Sequence, residues 1–259
     1  MQAAVAAKVA AARPDAMKER SAKRTAACVV RDSKALFKGQ AWNPFAALKA
    51  ENPAAPAYQG AVNMPALLRA GMALESTDPQ LLAALLLMAG TGLRKSEADA
   101  ARWSWLDVEA CKLSVTADAT FTPKTVASEA PVLVDASFLA ALVKLRPADA
   151  APDAYILAPE APAQAAKTFV AYRAEKVFDR LSAWLRQQGL TGRTPLHDLR
   201  REFGSFIAQN ADIFTASRQL RHGSIQVTAS HYTAQRRHVA PSLATMLAAT
   251  AESQPAAKP

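Results

Sequence analysis

A mainly α-helical fold with a small antiparallel β-sheet is what this 259-residue sequence predicts. Three observations carry the prediction. Apolar residues recur at helical spacing over most of the chain. One interval, residues 112–134, changes to short β-branched stretches interrupted by turn residues. Glycine and proline punctuate the boundaries between these stretches, and the length is ample for a substantial core.

Taken in order, Lys18 to Lys38 reads as a helix, with Ala27, Val30, Ala35 and Phe37 set among lysines and arginines. Gly39 and Asn43-Pro44 close it. Residues 49–62 are rich in proline and alanine without periodicity and read as an interdomain linker. Met64 to Leu74 and Pro79 to Met88 carry helical spacing, and Thr91-Gly92 breaks the second of them. Ser96-x-x-Asp99 resembles a capping box opening a further helix that ends near Trp105. Lys112–Thr116, Thr120–Lys124 and Ala130–Val134 read as two or three antiparallel strands. Helices resume at Ser137–Leu145, Phe169–Gln187, Leu196–Gln209, Thr215–Leu220 and Ile225–Arg236, with Gly189–Thr194 as a loop feeding His197. A last helix is expected near Pro241–Ala251, and residues 252–259 read as a disordered tail.

Half of the residues are apolar, yet no uncharged apolar run approaches the ~18 residues needed to span a bilayer. Met1 to Ala12 is alanine-rich around Lys8 and lacks a signal core, so no membrane partner and a cytoplasmic, nucleoid-associated location are expected. Cys28 and Cys111 have no metal-ligand spacing around them, which points to a reducing compartment and to no metal or other cofactor. The net charge of +9 is unevenly spread. Residues 1–49 hold ten Lys/Arg against three Asp/Glu, residues 50–166 eight against thirteen, and residues 167–238 twelve against five. Two basic blocks around an acidic middle favour a nucleic-acid partner.

The second basic block contains His197-Asp-Leu-Arg200, Gln219-Leu-Arg-His-Gly-Ser224 and His231-Tyr232-Thr233. Arginine offers a planar fork of donors to phosphate oxygens, histidine can donate or move a proton, and a tyrosine hydroxyl can attack a centre so surrounded. Upstream, Thr91-Gly-Leu-Arg94-Lys-Ser-Glu97 places another arginine at a turn. His197 and Arg200 are three residues apart and share one helix face, with Phe203, Phe206 and Ile207 expected to anchor the neighbouring face.

Together these segments resemble the tyrosine recombinase (phage-type integrase) family. Its pattern of an arginine in T-G-x-R-x-x-E, a hairpin lysine, H-x-x-R, a second histidine and a tyrosine is filled in order by Arg94, Lys124, His197, Arg200, His222 and Tyr232. The resemblance implies a catalytic-core-like helical domain over residues 63–251, preceded by a partial helical DNA-clamping region at 1–48 and the linker at 49–62. It also implies that Arg94 and Arg200 bind the non-bridging oxygens of a scissile phosphate. His222 would stabilise the transition state, and His197 would assist binding or proton transfer. Tyr232 would attack phosphorus, leaving a 3′-phosphotyrosyl bond, and Lys124 would protonate the departing 5′-oxygen. Lys112 is the nearest competitor of Lys124, and His231 of His222.

The implied function is site-specific recombination on double-stranded DNA, at attachment or inverted-repeat sites. A homotetramer on DNA and accessory DNA-bending proteins are the implied partners. The last helix would dock into a neighbouring protomer. A DNA-relaxing enzyme of the type IB topoisomerase kind and a non-catalytic DNA-binding protein derived from a truncated integrase are the alternatives. Where the family has glycine before the second histidine, this chain has Arg221, a residue disfavoured if the turn needs positive φ. Arg102, Arg201 and Arg221 read as surface or DNA-backbone contacts, Trp103 and Trp105 as core or interface aromatics, and Tyr58, Tyr155 and Tyr172 as packing residues.

Overall fold

Ala22, Ala26 and Val30 recur every four residues and form the buried stripe of α1 (Ala16–Ala35) in the computed structural model of the chain. The structure describes residues 4, 16–53, 62–123, 129–159, 172–223, 225 and 228. It divides into two units, Met1–Pro56 and Ala57–Pro259. In the first unit, Lys23 bridges Glu19 at 3.2 Å and Glu51 at 2.8 Å, and Lys18, Arg24, Arg31 and Lys38 are exposed. The chain leaves α1 through Gly39 at φ +86°. Asn43 then donates to the Lys34 carbonyl at 3.1 Å and accepts from the Phe45 N–H at 2.9 Å, which sets Phe45 edge-on against Phe37.

The second unit is built around α3 (Pro79–Thr91). Leu81 to Ala89 is buried without interruption, so this helix is apolar all round and occupies the centre of the core. Asp78 caps it by accepting from the Leu81 N–H at 3.0 Å, and Arg180 holds the same carboxylate at 2.8 Å. Around α3 pack α2 (Met64–Met72), α5 (Ala136–Lys144), α6 (Glu175–Gln187) and α7 (Pro195–Asn210). Asn63, Asp135 and Asp212 cap α2, α5 and α8 (Ile213–Gln219) in the same manner as Asp78. Val177, Phe178, Leu181 and Leu185 form the buried face of α6.

The helix expected up to Trp105 is shorter. After α4 (Lys95–Ala100) the backbone extends, because Trp103 N–H donates to Ala154 O at 3.0 Å and Ile156 N–H to Ala101 O at 2.9 Å. A short 3₁₀ turn, Trp103–Trp105, follows and buries both tryptophans. The sheet is antiparallel, in the order β1 (Leu106–Asp107), β2 (Lys112–Leu113), β3 (Val132–Leu133). Leu106 faces Leu113, and Leu113 faces Val132. The edge strand at 106–107 is an addition to the expected set, and residues 120–123 form a loop rather than a strand.

The helix expected from Phe169 begins at Glu175. Residues 169–171 lie outside the described residues, and the Arg173 and Ala174 N–H groups are drawn to the Asp99 carboxylate at 3.1 and 2.8 Å instead of to a helical turn. Of the apolar residues expected to anchor α7, Phe203 is buried, Ile207 packs beside it, and Phe206 is exposed. The expected helix at 225–236 lies outside the described residues except at Ile225 and Thr228, and the helix at 241–251 and the tail lie wholly outside. No described helix is long and apolar enough to cross a membrane.

Candidate active site

The Arg94 turn follows from how α3 ends. Gly92 takes φ +65°, and its N–H returns to Met88 O at 3.0 Å. A Cβ at this position would lie 2.5 Å from Phe203 Cδ1, so both the backbone and α7 require glycine. Leu93 is fully buried, and Arg94 is extended, at the head of α4. The capping contact lies two residues before the expected Ser96-x-x-Asp99. The Glu97 carboxylate accepts from the Arg94 N–H at 2.9 Å and from its Nη1 at 2.7 Å. Glu97 is 1% exposed, whereas the Arg94 side chain keeps a quarter of its surface in solvent.

Pro195 opens α7, where a missing N–H costs nothing. His197 lies in the first turn and is exposed. One turn later Arg200 is buried and donates to the carbonyls of Gly92 and Leu220. Arg200 therefore braces the end of α3 against the end of α8.

At the end of α8, Arg221 N–H donates to Arg218 O at 2.9 Å and His222 N–H to Ser217 O at 3.1 Å. This is a Schellman closure, whose penultimate residue is left-handed and commonly glycine. Arg221 occupies that position at φ +51°. The turn thus does need positive φ, at a cost of roughly 1 kcal/mol for a residue with a Cβ. Arg221 is not a surface residue. Its side chain is fully buried, and its Nη2 lies 2.5 Å from Glu97 Oε2. His222 is held by Thr228, whose Oγ1 lies 2.7 Å from Nδ1 and which is itself buried.

Burial pushes the Glu97 carboxyl up, but the Arg221 charge and the Arg94 N–H and guanidinium outweigh it and leave it below the usual carboxylate value. Burial lowers the Arg221 guanidinium, opposed by Glu97. Ion pairing keeps the negative charge on Glu97, so the Arg94 and His222 turns share one buried carboxylate.

Arg102 keeps its surface position, as a salt-bridged residue with a fifth of its side chain exposed. It pairs with Asp118 at 2.8 Å, donates to Tyr155 Oη at 2.9 Å and stacks 4.0 Å from the Tyr155 ring centre. Asp118 in turn accepts from the Thr120 N–H at 2.7 Å, and Phe121 packs on Trp105. Thr120 and Arg102 together hold the Asp118 carboxyl well below the usual range. Tyr172 is half-buried against Phe178, as a packing residue. Arg201 remains near the surface, paired with Asp198 at 3.1 Å.

Of the six expected site residues, Arg94, His197, Arg200 and His222 are described, while Lys124 and Tyr232 lie outside the described residues. Through Glu97 and Arg200 the structure brings together the Arg94 and His222 turns. Sequence reasoning marks Arg221 only as a surface or DNA-backbone contact and does not reach Thr228. Arginine in place of glycine was a signal for the first, whereas nothing local marks Thr228.

Residues 62–238 match the family model described as the phage integrase family. Among solved structures, the fold is similar to residues 82–397 of the Tn1549 transposon integrase in complex with circular intermediate DNA. The TM-score is 0.57 at 15% identity, covering 97% of this chain and 85% of that one. A lambda integrase (75–356) dimer bound to a COC′ core site gives a TM-score of 0.55 at 17% identity, covering 92% and 82%. XerA recombinase gives 0.50 at 15% identity, covering 89% and 76%. No curated protein sequence matches the chain.

Proposed function

The chain belongs to the phage integrase family, and on that premise we propose that it is a site-specific DNA recombinase working through a 3′-phosphotyrosyl intermediate. The observation that carries this reading is the bracing of the Arg94 turn and the His222 turn by Glu97 and Arg200. A phosphate diester gains negative charge on its non-bridging oxygens as a fifth ligand adds. Fixed guanidinium and imidazole groups stabilise that charge without reorganising.

Arg94, with a quarter of its side chain open to solvent, takes one oxygen, and Arg200, whose guanidinium carries more N–H donors than the two carbonyls it holds, takes another. His222, oriented through Thr228, donates to the same phosphate. Tyr232 Oη bonds to phosphorus as the 5′-oxygen leaves, and Lys124 protonates that oxygen. His197, exposed at the start of α7, assists binding or takes up the tyrosine proton. The phosphotyrosyl bond conserves the energy of the diester, so a 5′-hydroxyl from a second duplex can reverse the step without ATP. The two basic blocks supply backbone contacts, and a homotetramer on two duplexes in the cytoplasm is the assembly this requires.

The test incubates the protein with two differently labelled duplexes carrying its attachment site, in chelator and without ATP. Exchanged strands are the expected product. Relaxation of a supercoiled circle without exchange would assign it to DNA relaxation, and binding without any covalent species would reduce it to a DNA-binding protein.

A further inference from the structure

Arg221 stands where the backbone is left-handed, at φ +51°, and where glycine would sit without strain. Its guanidinium is withdrawn from solvent, so it neither improves the turn nor reaches DNA as a surface cation. What it contacts is specific. Its Nη2 lies 2.5 Å from Glu97 Oε2, the same oxygen that accepts the Arg94 N–H at 2.9 Å, while Glu97 Oε1 holds Arg94 Nη1 at 2.7 Å. One buried carboxylate therefore ties the main chain and side chain of Arg94 to Arg221, which lies 124 positions after Glu97 and immediately before His222. Arg200 spans the same two turns from α7 through the carbonyls of Gly92 and Leu220. The charged groups facing Glu97 are Arg94 from its own turn and Arg221 from the turn after α8.

We propose, resting on the recombinase reading above, that Arg221 is a positioning residue for strand cleavage. It shares Glu97 with Arg94 and so fixes the separation of the phosphate-binding Arg94 from His222, which the α8 turn carries. It also draws part of the Glu97 charge away from Arg94. Without it, the carboxylate turns wholly to Arg94, neutralises the guanidinium that must face phosphate, and loosens the His222 turn. The strained backbone is retained because glycine would leave the carboxylate with one cation.

The experiment measures single-turnover cleavage of a nicked suicide duplex between pH 5 and 9, with duplex affinity measured in parallel, for wild type, Arg221→Met, Arg221→Gly and Arg221→Lys. Arg221→Met and Arg221→Gly are expected to cleave roughly 10- to 100-fold more slowly, with affinity changed far less. The acidic limb of their rate profile moves to higher pH, because burial of Glu97 is then opposed by Arg94 alone. Arg221→Lys restores most of the rate.

Should Arg221→Met fail to fold, Arg221→Gly against Arg221→Lys makes the same comparison, since glycine suits the backbone. Cleavage by Arg221→Gly at the wild-type rate and with the wild-type profile overturns the positioning role and leaves the recombinase reading standing. A wild-type protein that binds the duplex but forms no adduct overturns both.

Discussion

Arg94→Ala is expected to lower the rate of strand cleavage by roughly 10²- to 10³-fold, the usual consequence of removing one preorganised donor from a developing anionic centre. The fold should survive. The Arg94 N–H continues to donate to Glu97 Oε2, Arg221 still neutralises the carboxylate, and the lost side chain was partly in solvent. Arg94→Lys keeps the charge but not the planar fork, so it should recover only part of the rate. Single-turnover cleavage beside equilibrium DNA binding checks this, with the loss falling in the rate and much less in affinity.

Glu97→Ala is expected to act on stability first. It removes the carboxylate paired with the fully buried Arg221 guanidinium, and breaking a buried pair from one side costs about 3–5 kcal/mol. For a unit of this size that lowers the unfolding midpoint by on the order of ten degrees, measurable by thermal melts followed by circular dichroism. The pH dependence has a definite sign. The folded-state value of Glu97 lies below its unfolded value, so its stabilisation is fully present above the unfolded carboxylate pKa. It is lost as pH falls through the depressed folded value. Glu97→Ala should remove that acid-side component.

Much of this arrangement was readable from local pattern. The unbroken apolar run from Leu81 to Ala89 reads as a buried helix, and Thr91-Gly92 marks its end because the left-handed closure there suits glycine. His197 and Arg200 are placed by helical periodicity alone. What escaped depends on contacts between distant segments. Nothing near Arg221 shows that Glu97 awaits it, so an arginine in a basic stretch reads as exposed.

The partners of Arg102 escape for the same reason, since Asp118 and Tyr155 reach it from other loops. The start of α6 lies later than periodicity places it because the pattern cannot show Asp99 capturing the Arg173 and Ala174 amides. The short strands were legible as a region, but their ends follow cross-strand partners such as Leu113 between Leu106 and Val132.

The reading of the chain as a recombinase turns on one bond. A nicked suicide duplex carrying the attachment site should trap the protein covalently, in chelator and without ATP. Mass spectrometry of the digested adduct should place the 3′-phosphate on Tyr232, with Tyr232→Phe binding the duplex but trapping none. An adduct on another residue, or the same adduct from Tyr232→Phe, would contradict it.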